Sequence, residues 1–295
     1  MSWKREDNFG VIDIGSNTVR GVVYYKKTLK TIDGSIAFKS NILEETSEGV
    51  LSYNGIKSLV DQIKKTLAYF SKRGAKRAYA FATSAMRDVT NFDEVSRIIK
   101  RKTGIEIELI SGSKEAEYDY LALAEISKVK SGIGVDLGGG SAQVVVFNEE
   151  GVLESGSFPI GVKRIRNAFC QEVVPTDTEL SKIEEHINAM LSGINAKNTE
   201  VWFMGGTAKA VFRASAPDAV GNSITVPDLS ALYSSACADT AVLKKMFGKR
   251  YSTMPVGIQI MKMITEVFGA EKIMISEAGV RDGYVAALYK NKENS

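Results

Sequence analysis

The sequence contains few of the residue types on which several common kinds of site depend. Its 295 residues include two cysteines and one histidine. Cys170 and Cys237 lack C-x-x-C spacing, so we expect neither a zinc site nor a disulfide framework, and a reducing compartment such as the cytoplasm fits. His186 lies in a helical pattern beside acidic residues. Activation of a nucleophile by histidine is therefore not expected.

Long apolar runs and a strong net charge are also missing. No segment approaches the roughly 18 apolar residues of a membrane-spanning helix. The N-terminal stretch MSWKREDNFG contains no apolar run typical of a secretory signal. Lys and Arg outnumber Asp and Glu by only 38 to 35, which gives no molecule-wide field for nucleic acid or an anionic membrane. We expect neither partner, and any anion specificity must be local.

The order of apolar patterns predicts an α/β architecture that occurs twice. Short strand patterns, ending with TLKTI, fill the first 33 residues, and a long helical pattern follows and stops at Gly74. Strands and helices then alternate, and the order restarts at GIGVDLG. We place the boundary in the polar link EISKVKSG, which gives domains 1–127 and 128–295. The final helix is allowed to pack back on the first domain.

Two strand–turn–strand segments of the sequence are similar to each other. IDIGSNTV and VDLGGGSA share the order acid, apolar, glycine, small, small, hydroxyl. Tandem similarity of this kind predicts two domains of common origin with a ligand cleft between them. Small turn residues let backbone N–H groups converge on an anion. The residues predicted to bind phosphate are Gly15, Ser16, Asn17, Thr18, Gly138, Gly139, Gly140 and Ser141. The alternative is a pair of tight hairpins whose glycines only serve the turns.

A third glycine turn and two aspartates complete the candidate site. In VWFMGGTAKAV, the residues Gly205, Gly206 and Thr207 join a strand to a helix, whose N-terminal N–H groups can receive an anion or a nucleotide. A simple turn capped by Thr207 is the alternative. Asp13 and Asp136 would repel phosphate directly. We therefore assign them to a Mg²⁺ ion that bridges phosphate oxygens, or to the orientation of water.

With these three turns, the chain resembles the superfamily of actin, sugar kinases and Hsp70-type ATPases. Further blocks narrow the resemblance to the exopolyphosphatase and guanosine pentaphosphate phosphohydrolase family, over essentially the whole chain. In order, the blocks are IDIGSNTVRGVVY, FATSAMRDVTN, ELISGSKEAEYDYLAL, VDLGGGSAQVVVF, MGGTAKAV and SEAGVRDGYV. The resemblance implies two tandem actin-like, ribonuclease H-like α/β domains with an interdomain active-site cleft.

The same resemblance implies an activity and roles for individual residues. The activity is hydrolysis of a terminal phosphoryl group from inorganic polyphosphate or guanosine pentaphosphate, with Mg²⁺ or alternatively Mn²⁺. Glu115 matches the family's water-activating glutamate. Arg20, Arg87 and Arg281 each follow a motif turn, and guanidinium groups can hold phosphate oxygens bidentately. We expect Arg20 and Arg87 to act in catalysis and Arg281 in phosphate binding. Asn91 is a further candidate donor, or alternatively a surface turn residue.

Two positions depart from the family's usual pattern. Lys114 stands where the family usually has a glutamate, and Gln143 ends a GGGSAQ block that usually reads GGGSTE. The missing carboxylate is expected to change metal binding or lower activity. One alternative is therefore a weakened member that senses polyphosphate or an alarmone. A small-molecule kinase is a third hypothesis, but no catalytic aspartate in a sugar-binding segment supports it. Glu277 is a further cleft candidate, with a helix N-terminal carboxylate as the alternative. A homodimer is left open.

Overall fold

The computed structural model of the protein describes residues 8–16, 18–25, 30–32, 34–215 and 222–293. The chain divides into two compact units, Met1–Gly112 and Ser113–Ser295. Among the predicted site residues, Asn17 lies outside the described residues. In the described part of the chain, no helix has the length and apolar character needed to cross a bilayer.

The first unit is built on a mixed sheet with the strand order β3-β2-β1-β6-β7. Its strands and a small separate hairpin are β1 (Asn8–Ile14), β2 (Thr18–Tyr24), β3 (Ile36–Lys39), β4 (Thr46–Ser47), β5 (Val50–Leu51), β6 (Ala75–Ala82) and β7 (Ile107–Leu109). The first three strands pair antiparallel, whereas β6 runs parallel to β1 and to β7. The third strand lies after the predicted TLKTI segment, whose first two residues lie outside the described residues and whose Thr31 makes an isolated bridge to Tyr24.

Helices of the first unit cover its sheet. They are α1 (Tyr53–Lys72), α2 (Ser84–Arg87) and α3 (Phe92–Thr103). The Ser52 hydroxyl accepts the N–H of Gly55 at 3.0 Å and so caps the start of α1. Phe70 packs into a gap left by Gly10, where a Cβ would lie 2.6 Å from the Phe70 Cγ. The chain leaves α1 through Gly74, with a φ of 73°, which confirms the predicted stop.

The second unit repeats the sheet order of the first and adds one edge strand. Its order is β10-β9-β8-β11-β13-β12, with β8, β9 and β10 antiparallel and β11 parallel to both β8 and β13. The strands are β8 (Gly132–Leu137), β9 (Ala142–Asn148), β10 (Gly151–Phe158), β11 (Glu200–Met204), β12 (Ser223–Thr225) and β13 (Lys272–Ile275). Because both units share this order, the predicted fold class of two tandem α/β domains is confirmed.

The helices of the second unit enclose a larger core. They are α4 (Gly112–Leu121), α5 (Val162–Phe169), α6 (Asp177–Leu191), α7 (Gly205–Ser215), α8 (Val226–Cys237), α9 (Thr240–Phe247), α10 (Met254–Val267) and α11 (Val280–Glu293). A π-helical turn, Ala122–Ile126, extends α4. Almost every residue of α10 is buried, because this helix forms part of the main core.

The segment 113–127 packs with the last helix. Lys290 of α11 donates to the Glu125 carboxylate at 2.6 Å, and Gly283 lies against the backbone of Tyr118. The division between the two units therefore falls at Gly112, earlier than the predicted boundary of 127. That boundary between domains stays a prediction. The packing of the final helix on the first domain likewise stays a prediction.

Candidate functional site

In the first unit, predicted site residues lie on the tight turn between β1 and β2. The N–H of Gly15 donates to the carbonyl of Thr18 at 3.1 Å and closes this turn. Asp13 lies directly opposite Arg20 in the antiparallel register, so the two side chains share one face of the sheet. Ser16 is buried. The turn thus brings an aspartate, an arginine and a hydroxyl to one end of the sheet.

A second element reaches the same end of this sheet. The N–H of Thr83, directly after β6, donates to the carbonyl of Ile14 at 3.2 Å and joins the β6 end to the β1 end. Ser84 begins α2 and, like Thr83, is buried. Arg87 ends α2, and its guanidinium donates to the Ile110 carbonyl at 3.1 Å. This edge therefore holds two hydroxyls and a positioned guanidinium.

Thr83 and Ser84 are not among the site residues predicted from the sequence. The signal was present, because two hydroxyl residues follow a buried strand directly and lie in the quoted block FATSAMRDVTN. Asn91 in the same block has a structural partner. Its side chain accepts the N–H of Leu51 at 2.9 Å and donates to the Leu51 carbonyl at 3.2 Å. Both polar ends of Asn91 are thus engaged by β5.

In the second unit, the glycine turn between β8 and β9 rests on the start of α5. The N–H of Gly138 donates to the Ser141 carbonyl at 3.0 Å, as in the equivalent turn of the first unit. Each of the three glycine carbonyls accepts a hydrogen bond from the first turn of α5. The pairs are Val162 N–H to Gly138 at 3.0 Å, Lys163 N–H to Gly139 at 2.9 Å and Arg164 Nε to Gly140 at 2.7 Å.

This arrangement fixes the direction of the turn's N–H groups. In a trans peptide the C=O of one residue and the N–H of the next point in opposite directions. Since the carbonyls of Gly138, Gly139 and Gly140 point to α5, the N–H groups of Gly139, Gly140 and Ser141 point away from it. Consecutive N–H groups turned outward in this way form a concave site for an anion.

Because residue 161 is glycine, the start of α5 can lie close to the backbone of this turn. A Cβ at residue 161 would lie 2.5 Å from the backbone nitrogen of Gly140 and closer still to that of Ser141. No larger side chain fits there without moving the turn. Gly161 could not be identified from the sequence, because only the folded chain brings the end of β10 next to the β8–β9 turn.

Asp136 lies where the second and third glycine motifs meet. Its side chain is buried, and a Cβ at Gly205 would lie 2.5 Å from the Asp136 Oδ1. Gly205 also has a φ of 87°, a conformation that favours glycine. Gly205 therefore provides both the backbone turn into α7 and the space for the Asp136 carboxylate.

The start of α7 lies beside Arg250. A Cβ at Gly206 would lie 2.7 Å from a guanidinium nitrogen of Arg250, so this guanidinium lies against Gly206. Desolvation, and the charge of nearby Arg213, lower the pKa of Arg250. The methyl group of Thr207 faces Gly257 of α10, at 2.8 Å from a Cβ placed there. Arg250 is not among the residues predicted from the sequence, and this contact was therefore missed.

Glu115 and Arg281 lie on two helices that pack closely. Glu115 is 5% exposed in the first turn of α4, and Asp119 is fully buried one turn further on. Arg281 lies in the first turn of α11, two residues before the contact of Gly283 with Tyr118. Each helix therefore carries one predicted residue within a turn of the contact.

Two charged residues have partners at the surface of the second unit. Lys114 is paired with Glu117 at 2.9 Å, as an i,i+3 pair on α4. Glu277 is 79% exposed and pairs with Lys209 at 3.2 Å, and the Lys209 ammonium also donates to the Glu277 carbonyl. Glu277 thus anchors the chain before α11 to the first turns of α7.

The predicted metal ligands Asp13 and Asp136 provide one carboxylate in each unit. Within the described residues, no group of three or more histidine, cysteine, aspartate or glutamate side chains could form a metal cage. Mg²⁺ usually takes one or two carboxylates and completes its shell with water and substrate phosphates. Asp13 and Asp136 fit that mode, each within its own unit.

The repeated sheet order, with a glycine turn between the first two strands of each unit, defines an actin-like α/β fold. Residues 35–292 match the model of the Ppx/GppA phosphatase family, and the chain belongs to this family. The predicted family resemblance is thereby confirmed.

Individual relatives agree with this assignment. Exopolyphosphatase 1 of Mycobacterium bovis is 27% identical over 188 residues, which cover 62% of this chain and 55% of the relative. The match thus spans about half the length of that relative. The guanosine-5'-triphosphate,3'-diphosphate pyrophosphatase of Aeromonas hydrophila is 22% identical over 97% of this chain and 60% of its own. The crystal structure of an exopolyphosphatase from Cytophaga hutchinsonii superimposes with a TM-score of 0.86, at 19% identity, over 96% of this chain and 98% of the other.

Proposed function

We propose that the protein is a hydrolase that releases terminal phosphate from inorganic polyphosphate or guanosine pentaphosphate. The observation that carries this proposal is the geometry of the β8–β9 turn. Residues of α5 donate hydrogen bonds to the carbonyls of this turn, and the N–H groups of the turn therefore point outward. Such a site suits a phosphate oxygen. Membership of the Ppx/GppA phosphatase family, and relatives named for both substrates, support the same reaction.

Glu115 is the proposed base. Water attacks the terminal phosphorus, the anhydride P–O bond breaks, and the leaving oxygen departs with the shortened phosphate chain. Glu115 takes the proton of the attacking water, and its burial in the first turn of α4 suits a carboxylate that exchanges protons. Phosphoryl transfer otherwise depends on positioning and on positive charge around the phosphate oxygens.

The remaining predicted residues supply that charge and positioning. The proposed guanidinium clamp consists of Arg20, Arg87 and Arg281. Backbone N–H groups and hydroxyls of the three glycine turns bind the phosphate oxygens. Asp13 and Asp136 would hold Mg²⁺, or alternatively Mn²⁺, which supplies positive charge to phosphate oxygens when bound. A cytoplasmic location and a homodimer stay predictions of the sequence.

The test is phosphate release from polyphosphates of several lengths and from guanosine pentaphosphate, each with and without Mg²⁺. We expect the wild type to release phosphate and Glu115→Gln to be slower by at least about 100-fold, the usual contribution of a general base. Glu117→Gln is the matched control, since this exposed residue on the same helix pairs only at the surface with Lys114. Its rate should stay within about twofold of the wild type.

One outcome would instead favour the alternative that the protein senses polyphosphate or an alarmone. If wild type and Glu115→Gln release phosphate equally slowly, yet both bind polyphosphate tightly, the protein binds the polymer without hydrolysing it. Gln143 is the feature that motivates this alternative. Phosphate transfer from ATP that depends on a small-molecule acceptor would instead favour a kinase.

A further inference from the structure

Three polar residues form a row across the sheet of the second unit, next to the glycine turn. Gln143 of β9 pairs in register with Asp136 of β8 on one side and with Ser157 of β10 on the other. Residues directly opposite each other in antiparallel strands point to the same face. Gln143 is 1% exposed. A buried amide in this row therefore decides how its polar neighbours are hydrogen-bonded.

The Gln143 amide acts as a donor to both serines. Its Nε2 donates to the Ser141 hydroxyl at 2.7 Å and to the Ser157 hydroxyl at 2.8 Å. An amide nitrogen has two protons, so these two bonds use both of them. A serine hydroxyl has one proton and two acceptor sites. Because Ser141 accepts from Gln143, its own proton is left for another acceptor.

A carboxylate at position 143 would reverse this polarity. A glutamate accepts only, so Ser141 would donate its proton inward and present lone pairs outward, as a cation requires. A glutamate would also stand directly opposite Asp136, and like charges at such a position repel each other. A bound divalent cation would offset the repulsion between two opposed carboxylates. An amide opposite one carboxylate creates no such repulsion and therefore does not favour cation binding.

We propose that Gln143 is a specificity-determining residue. It makes Ser141 a donor to a phosphate oxygen, and it keeps the affinity of the glycine turn for free divalent cations low. Gln143 acts through Ser141 and Asp136 and does not itself touch the substrate. The identity of the ligand as a phosphate chain rests on the proposed function. The hydrogen-bond polarity rests on the Gln143 contacts alone.

The experiment separates anion binding from cation binding, with no turnover. Tripolyphosphate binding is measured by calorimetry in a chelator, and Mn²⁺ binding is measured by electron paramagnetic resonance without phosphate. In the wild-type background, Ser141→Ala should weaken tripolyphosphate by about tenfold, as expected for one hydrogen bond to a charged group, and leave Mn²⁺ unchanged. Gln143→Glu should weaken tripolyphosphate and tighten Mn²⁺, each by about tenfold.

The double variant supplies the sharpest comparison. Once residue 143 is glutamate, the additional change Ser141→Ala should no longer weaken tripolyphosphate, because the hydroxyl proton already points inward. Ser157→Ala is the matched control. It removes the other bond of the same amide, to a hydroxyl of β10 that lies outside the glycine turn, and should change either affinity by less than about twofold.

Several results would overturn the proposal. These are an unchanged tripolyphosphate affinity in Ser141→Ala, an equal effect of Ser141→Ala in both backgrounds, or unchanged Mn²⁺ affinity in folded Gln143→Glu. Should Gln143→Glu not fold, the wild-type Ser141→Ala arm alone decides. Wild-type protein that binds tripolyphosphate through Ser141 but releases no phosphate would sink the proposed function and leave this inference standing.

Discussion

Gly283 of α11 lies directly against the backbone carbonyl of Tyr118 in α4. A Cβ at residue 283 would lie 2.5 Å from the carbonyl carbon of Tyr118 and closer still to its oxygen. Beside this contact, the rings of Tyr118 and Tyr284 meet edge to face with centroids 5.4 Å apart. The contact sets the spacing of the helix that carries Glu115 and the helix that carries Arg281.

We expect Gly283→Ala to destabilise the protein strongly. The added methyl group would meet backbone atoms, which cannot rotate aside as a flexible side chain can, so the helices must separate. Overpacking of this kind costs about 3 kcal/mol. Urea denaturation followed by circular dichroism measures the free energy of unfolding. The control is Gly193→Ala, where nothing lies within 4 Å of a Cβ, and it should change stability by less than about 0.5 kcal/mol. Equal stabilities of the two variants would contradict the expectation.

Gly161 and Gly206 provide a second paired comparison. In Gly161→Ala the methyl group would press on the backbone of Gly140 and Ser141, whereas in Gly206→Ala its nearest neighbours would be the terminal atoms of the long Arg250 side chain. We expect Gly161→Ala to lose about 2 kcal/mol or more of stability, and Gly206→Ala to lose less than about 1 kcal/mol.

Binding gives a further readout for Gly161. Tripolyphosphate affinity, measured in a chelator, should fall by at least about tenfold in folded Gly161→Ala, because displaced N–H groups no longer converge on one anion. Unchanged affinity in this variant would show that the α5 contact does not shape the turn.

Local features of the fold could be predicted from the sequence because they depend on neighbours along the chain. The α1 periodicity with its stop at Gly74, and the restart of the strand order at GIGVDLG, agree with the structure. The predicted TLKTI strand is described only from Lys30 onward, where Thr31 makes an isolated antiparallel bridge to Tyr24. The third strand of the sheet is Ile36–Lys39, which pairs with β2 in register. Pairing partners distant in sequence, and not alternation alone, decide which segment joins a sheet.

The parts of the candidate site that sequence could not predict depend on contacts between distant segments. Gly161 is a single glycine with no motif around it, and its role appears only when α5 meets the β8–β9 turn. From the sequence, Gln143 was interpreted only as the absence of the glutamate that the family usually has at this position. The structure shows it as the donor to two serines, one of them in β10. A residue type alone does not indicate the direction of its hydrogen bonds.

Glu125 and Lys290 predict a pH dependence of stability. The hydrogen bond from Lys290 lowers the pKa of Glu125 below its ordinary value of 4.5. A carboxyl group whose pKa is lower in the folded state stabilises the protein fully above pH 4.5, and this contribution is lost as the pH falls through the folded pKa. Because both side chains are partly exposed, Glu125→Gln should cost less than about 1 kcal/mol at neutral pH. The difference from wild type should vanish in acid, as measured by urea denaturation across pH. A difference that persists unchanged below the folded pKa would contradict an ionic origin.

Cys237 predicts slow reaction with alkylating reagents. Burial raises the pKa of the Cys237 thiol from its ordinary value of 9.0 to about 11, and only the thiolate is nucleophilic. At about pH 8 the folded protein should therefore contain about 100-fold less Cys237 thiolate than the unfolded chain. Iodoacetamide labelling, followed by mass spectrometry of the peptide containing Cys237, should be slower in native protein than in urea by about that factor.

Desolvation raises the pKa of Cys170 as well, but less, so Cys170 should label faster than Cys237 in the same sample. Because the unfolded thiol ionises first, this thiol's contribution to stability should decline as the pH rises above 9.0. Native labelling of Cys237 as fast as in urea would show that this thiol is not desolvated at the end of α8.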